Sequence, residues 1–307
     1  MRLLEGGIHS PAAGAWTMIV VTGATGKIGS ELVRLLRERG QGVRAIVRSA
    51  EKGAELAALG AELAVGDLGD AASLRAAFAG GDKLFLLAPA GPDQVALQHN
   101  AIQAAKQAGI RHVVKVSALG AAPDSPVALG RWHAETEAEL AASGMAWTVL
   151  QPHSFMQNLL GSAGTVAGQG MLYAPVGDAP VALVDTRDVA AVAAGVLTQP
   201  GHEGRTYVVT GGEAVTYARV AQALGAATGR PVQYVDVPPE AARGGMLAAG
   251  LPEWLVDDLL GLFAIFKAGH GATTTDAVRT IGGREPTTIE QFARDHAAAF
   301  GAPPAAA

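Results

Sequence analysis

Eight consecutive residues, Thr22-Gly23-Ala24-Thr25-Gly26-Lys27-Ile28-Gly29, set three glycines at a spacing of three between an apolar run and a helical pattern. Each glycine has a separate use at a diphosphate site. Gly23 suits a tight turn, Gly26 lets the backbone come close to the phosphates, and Gly29 lets the helix pack against the strand before it. The helix that follows presents free backbone N–H groups and the positive end of its dipole to the same anion. Thr22, Gly23, Thr25, Gly26, Lys27, Ile28 and Gly29 are therefore the candidate dinucleotide residues. The alternative is a purely structural turn in a chain with 40 glycines; the strand–turn–helix context favours the functional reading.

A basic group follows at the next strand end, Val47-Arg48-Ser49, with Lys52 one turn on and no carboxylate before Glu51. Proteins that select NAD place Asp or Glu here to accept hydrogen bonds from the ribose hydroxyls. Arg48 offers the opposite chemistry, a fork of charged donors for a 2′-phosphate. NADPH (or NADP+) is thus the expected cofactor, with Arg48, Ser49 and Lys52 at its phosphorylated ribose. A solvated surface arginine is the alternative.

The elements that must hold these residues alternate along the chain. Strand patterns are expected at 18–22, 43–47, 61–65, 83–88, 112–117 and 147–150, with helical patterns between them. That alternation predicts an α/β protein: a Rossmann-type, doubly wound parallel sheet with a smaller C-terminal α/β lobe. Four glycines between 161 and 170 break the next segment into loops, after which 181–184, a helix at 187–197 and a strand at 206–210 are expected to return to the sheet. The expected division is an extension at 1–17, a nucleotide domain at 18–210 with substrate-lobe loops at 153–185, a substrate lobe at 211–302, and a disordered tail at 303–307.

Composition bounds the function. The chain has 307 residues, 49% apolar and 17% charged, with a net charge of −5. Nucleic acid is not an expected partner, because basic residues are scattered singly. There is no cysteine, which removes disulfides, thiolate catalysis and Cys-ligated metals and fits a reducing cytoplasm. No metal site is expected from the histidine spacing. No apolar stretch is long enough for a secretory signal or a membrane helix. A cytoplasmic monomer or homodimer acting on a small molecule is the expectation.

Five stretches together carry a family resemblance: TGATGKIG (22–29), AIVRS (45–49), GDLGD (66–70), KVSALGA (115–121), and the block from RWHAETE (131–137) to QPHSFMQN (151–158). The sequence resembles the NmrA-like branch of the atypical short-chain dehydrogenases, and within it the NADPH-dependent quinone and triphenylmethane-dye reductases. The resemblance implies a parallel sheet of order 3-2-1-4-5-6-7 with the cofactor across its carboxyl edge. It places Asp67 and Leu68 beside the adenine, Leu87, Ala88 and Pro89 near the ribose and phosphates, and Ser117 and Pro152 along the cofactor. Leu119, Phe155, Met156 and Asn158 would line the acceptor cleft, although core packing explains Phe155 and Met156 equally well.

Most short-chain dehydrogenases use Tyr-x-x-x-Lys. Here Tyr173, Tyr207, Tyr217 and Tyr234 are followed four residues on by Gly177, Gly211, Ala221 and Pro238, so the pair is absent. His133 and Glu137 stand on the equivalent helix, as in the quinone and dye reductases. Spaced i,i+4, Glu137 is expected to orient His133 and raise its pKa, making His133 a proton donor or substrate ligand, with Ser117 beside it. An architectural histidine lining the pocket is the alternative. The leading functional expectation is direct hydride transfer from NADPH to a quinone-like, dye-like or other conjugated acceptor. An NADP(H)-sensing regulator without turnover, and a tailoring reductase or isomerase, remain open beside it.

Overall fold

The computed structural model describes residues 17–301; residues 1–16 and 302–307, and with them most of the expected extension and the tail, lie outside the described residues. Seven parallel strands form the main sheet. β1 (Met18–Val21), β2 (Gly42–Val47), β3 (Glu62–Val65), β4 (Lys83–Leu86), β5 (His112–Val116), β6 (Ala146–Pro152) and, after a further strand β7 (Met171–Ala174), β8 (Arg205–Val209) are arranged in the order 3-2-1-4-5-6-8. The order reverses at β1, which pairs with β2 on one side and β4 on the other. Their carboxyl ends there open a crevice, the usual ligand position in an open α/β sheet.

Helices cover both faces. α1 (Lys27–Glu38), α2 (Ala54–Ala58), α3 (Ala71–Phe78), α4 (Gln94–Ala108), α5 (Ala128–Ala142), α6 (Ala163–Gln169) and α7 (Thr186–Thr198) follow in chain order. One core gathers Ile19, Val21, Leu32, Leu36, Val114, Val116 and the Ala/Val-rich α7. The opposite core gathers Val20, Leu74, Phe78, Leu84, Leu86, Ile102 and Val113. Successive residues of β1 and β5 thus alternate between two buried layers, and for this reason β1 reads as an unbroken apolar run and β5 as one broken within by Lys115 alone. Helix ends are set by local chemistry. Asp70 caps α3 through the Ala72 and Ser73 amides, Asp185 caps α7 through Arg187, and α4 ends on Gly109 at φ +76°.

Two expectations about the sheet are corrected. Residues 181–184 form no strand; Val181 and Val184 make only single bridges, to Val215 and Phe155. β7, in the glycine-broken segment, is a strand instead and leaves the main sheet to pair with β9 (Gln233–Asp236). The eighth strand in chain order therefore fills the seventh position. The remaining helices are α8 (Tyr217–Thr228), which packs on this second sheet, α9 (Pro239–Ala248), α10 (Glu253–Ile265), α11 (Ala277–Thr280), which packs on the main core, and α12 (Ile289–Asp295), which packs on α8. Thr216 caps α8 and Thr288 caps α12. Met156, Leu172, Val220, Leu224 and Phe292 belong to a separate third core. α10 docks on the main domain by its Asp258 carboxylate, which accepts from the Ala128 and Leu129 amides at 2.7 and 2.8 Å and so caps α5 from outside. Among the described residues no helix is long and apolar enough to cross a membrane.

Candidate active site

The glycine loop joins β1 to α1 at the carboxyl edge. Gly23 has φ +62°, a left-handed conformation that favours glycine. A Cβ on Gly29 would stand 2.1 Å from the Gly23 carbonyl oxygen, so the third glycine is demanded by the loop folding over its own helix. Gly26 differs: a Cβ there would meet only that same oxygen within 4 Å, at 3.3 Å, and would otherwise project into open space. Gly26 is the N-cap of α1, makes no side-chain cap, and is followed by no acidic residue in the first turn. The positive end of α1 is left without a protein counter-group.

That space belongs to a cleft of about 490 Å³ built from four successive strand ends. Thr22, Gly23, Thr25 and Gly26 come from β1, Arg48 and Lys52 from the turn after β2, Asp67 and Leu68 from after β3, and Leu87, Ala88 and Pro89 from after β4. The Thr22 hydroxyl donates to the carbonyls of Phe85 and Leu87 and accepts from the Leu87 amide at 2.9 Å, splicing β1 to the end of β4. Asp67 turns its carboxylate back on the Gly69 amide at 2.8 Å, so it is occupied within its own turn. Arg48 and Lys52 are both exposed at the rim. A diphosphate fits the glycine loop and the uncapped α1, and a 2′-phosphate fits the paired cations.

Other expected cofactor residues stand elsewhere. Lys27 is exposed at the start of α1, whereas Ile28 and Gly29 are buried beneath the loop. The Ser49 hydroxyl bonds Glu51 and holds that carboxyl below its usual range. Pro152 is buried, and its carbonyl accepts from the Leu119 amide at 3.0 Å, tying the β6 end to the loop after β5. Of the expected acceptor-cleft residues, Phe155 packs on the main core and Asn158 is exposed, bonding Ser154. Met156 is buried in the third core and lines a different cavity of about 420 Å³, whose Arg279 and Glu285 pair with each other at 2.8 Å.

The expected His133–Glu137 partnership is corrected. Glu137 turns to the sheet: the Ser117 hydroxyl donates to it in a short hydrogen bond, and the Gln151 amide donates at 3.1 Å. The Ser117 hydrogen is thereby committed, leaving its oxygen as an acceptor. His133 is held by another group, Lys115 of β5, whose Nζ lies 3.0 Å from Nδ1. The side-chain amide of Gln94, the first residue of α4, lies 3.2 Å from Nδ1 and 3.3 Å from Nε2. Instead of being raised, the His133 pKa is pushed down to about 3, by burial first and then by Lys115. Lys115 is fully buried, and burial pulls its ammonium down to about 7, against the raising influence of Glu137. His133 is accordingly a neutral imidazole near pH 7.

Lys115 and Gln94 were not among the residues expected at the site. The signal for Lys115 was a single charged residue inside the apolar run His112-Val113-Val114-Lys115-Val116 of a central strand, where lysine is costly unless used. Gln94, an uncharged residue opening an ordinary helix, offered no comparable signal.

Fold, glycine loop and rim cations together define a Rossmann-type nucleotide-binding architecture. Residues 16–293 match the NmrA-like family, and the chain belongs to that family. It is 48% identical over 285 residues to an NAD(P)H azoreductase of Xenophilus azovorans, covering 93% of this chain and 100% of that protein. The crystal structure of the NADPH-dependent quinone oxidoreductase of Escherichia coli complexed with NADPH superposes with a TM-score of 0.83 at 31% identity, covering 91% of this chain and 99% of that one. The triphenylmethane reductase of Citrobacter sp. complexed with NADP(H) gives 0.80 at 28% identity, with the same coverage.

Proposed function

We propose that this protein is an NADPH-dependent reductase of conjugated acceptors, with azo compounds, quinones and triphenylmethane dyes as the substrate class. The observation that carries the proposal is the carboxyl-edge cleft, in which an uncapped helix N-terminus and an open glycine cradle share one wall with Arg48 and Lys52. Support comes from the likeness, over nearly the whole chain, to an azoreductase and to quinone and dye reductases. Thr25, Gly26 and the first amides of α1 hold the diphosphate, Arg48 and Lys52 the 2′-phosphate, and Asp67, Leu68, Leu87, Ala88 and Pro89 the adenosine half. NADPH, when bound, supplies a hydride.

The chain's own groups do the rest. Ser117, with its hydrogen on Glu137, offers an acceptor to an amide or substrate N–H. His133, neutral and partly buried, presents an uncharged imidazole to the acceptor. Such acceptors take a hydride without a strong acid, which is consistent with the missing Tyr/Lys pair; orientation and water exclusion are the main protein contributions. A cysteine-free chain working on small molecules as a monomer or homodimer in a reducing cytoplasm fits this role.

The test is loss of NADPH absorbance in the presence of an azo dye, a quinone and a triphenylmethane dye in turn. Turnover of at least one is expected. Tight binding of both NADPH and NADP+ with oxidation by none would refute the reductase and favour a sensor.

A further inference from the structure

His133 poses a chemical problem for the reductase. Reducing an azo or carbonyl acceptor leaves an anionic nitrogen or oxygen that needs a proton. A neutral imidazole is a very weak acid at its N–H, so it gives that proton up readily only if its second nitrogen is protonated in the same event. The second nitrogen, Nδ1, faces Lys115 Nζ at 3.0 Å.

We propose that Lys115 is the proton reservoir behind His133, the two forming a relay in which Nδ1 receives a proton from Nζ as Nε2 gives one to the reduced acceptor. The inference rests on the reductase reading above. Its geometry does not depend on that reading. An ammonium has three donors and no acceptor, and Lys115 has one close acceptor, His133 Nδ1, besides a long contact of 3.5 Å to the Val116 carbonyl. With Lys115 as the ammonium, that contact makes Nδ1 the acceptor and puts the imidazole proton on Nε2. Lys115 is 0% exposed, and its ladder partners are apolar, Leu86 of β4 and Val149 of β6. The groups that bear on it from the helices are His133 and Glu137 of α5, with the uncharged amide of Gln94 of α4 on His133. Glu137 is itself engaged by Ser117 and Gln151, so it moderates the charge on Lys115 without neutralising it in a salt bridge. A lysine so placed holds its proton loosely at neutral pH.

The relay balances. The Nε2–H bond breaks as the acceptor's N–H or O–H bond forms, and Nζ–H breaks as Nδ1–H forms, leaving a neutral amine. The electrons come from NADPH alone. When product leaves, a solvent proton arrives at Nε2 and the Nδ1 proton returns to Nζ, so the buried lysine needs no direct path to water.

Two measurements test this. In the free protein, long-range nitrogen–proton NMR spectra read the His133 tautomer, and carbon NMR of labelled lysine reads the Lys115 titration. We expect the Nε2–H tautomer and a lysine titrating near neutral pH. With azo or quinone acceptors, kcat should fall as pH rises through the Lys115 pKa. Lys115→Met should lower kcat about 10²–10⁴-fold, the range of one proton-transfer contribution, leave the KM for NADPH unchanged and remove that alkaline fall. A protein that oxidises NADPH with none of the acceptors overturns the reductase reading and the relay with it. An active protein whose His133 carries its proton on Nδ1, or whose Lys115→Met variant keeps the original rate and pH profile, overturns the relay alone.

Discussion

Replacing Lys115 by methionine should make the protein more stable at neutral pH, and the gain should vanish in alkali. The lysine is fully buried, and its pKa falls from 10.5 to about 7 on folding. Between those values the unfolded chain binds a proton that the folded chain does not, so stability rises with pH across that window. The penalty is fully present below about pH 7 and gone above about 10.5. At about 1.4 kcal/mol per pH unit, it amounts to about 5 kcal/mol at most. Methionine fills the same channel without charge but leaves His133 Nδ1 without its lysine donor, a loss of about 1–3 kcal/mol unless the Gln94 amide, 3.2 Å away, takes over. The net gain near pH 6 is then about 2–4 kcal/mol, and above pH 10.5 the variant should be no more stable than the parent. Urea unfolding of both proteins from pH 6 to 10.5 reads the difference, in which titrating groups remote from Lys115 cancel. A stability difference that stays constant over that range would show that Lys115 keeps an ordinary pKa in the fold, and the electrostatic account of the site would fall.

Arg48→Ala should erase a preference for NADPH over NADH of at least tenfold, since one charged contact contributes about 1.5–3 kcal/mol; titration of intrinsic fluorescence with each cofactor measures it. Gly26→Val should abolish dinucleotide binding with little change in melting temperature, because its side chain enters open cleft, whereas Gly29→Ala should lower the melting temperature sharply, because its Cβ would sit 2.1 Å from the Gly23 carbonyl. Asp258→Ala removes both hydrogen bonds that start α5 and should cost about 1–2 kcal/mol in urea unfolding.

Where function dictates the backbone, the sequence was easy to read. The glycine loop, the first six strands of the sheet and the rim cations follow from local patterns, and the cleft does bring Gly23, Gly26, Arg48, Asp67 and Leu87 together. Helix pairing proved a weaker guide. The i,i+4 spacing of His133 and Glu137 says that they share a helix face, but not what the facing strands offer. Here β5 and β6 supply Ser117 and Gln151 to the carboxylate and Lys115 to the imidazole, and these outcompete the neighbour on the same helix. In the 161–170 segment the expected loops are helical instead: Gly161 lies in a 3-10 turn, Gly164 and Gly168 lie inside α6, only Gly170 ends a helix, and β7 follows directly because Met171–Ala174 finds a partner in β9, sixty residues on. A pairing at that distance has no local signature.

The side-chain caps on α3, α7, α8 and α12, and the carboxylate of Asp258 on α5, each contribute to folding itself, about 1 kcal/mol per helix. At α1 that contribution is withheld, because Gly26 has no side chain to give it. The same amides are therefore available to a ligand, and what a cap would have added to conformational stability appears instead as binding affinity. Cofactor binding should raise resistance to heat and proteolysis most of all around residues 22–30. An aspartate at position 26, whose extended backbone at φ −82° and ψ 169° already suits a capping residue, would act as a built-in competitor for the phosphate. Stability and affinity at this edge of the sheet are two uses of one set of N–H groups.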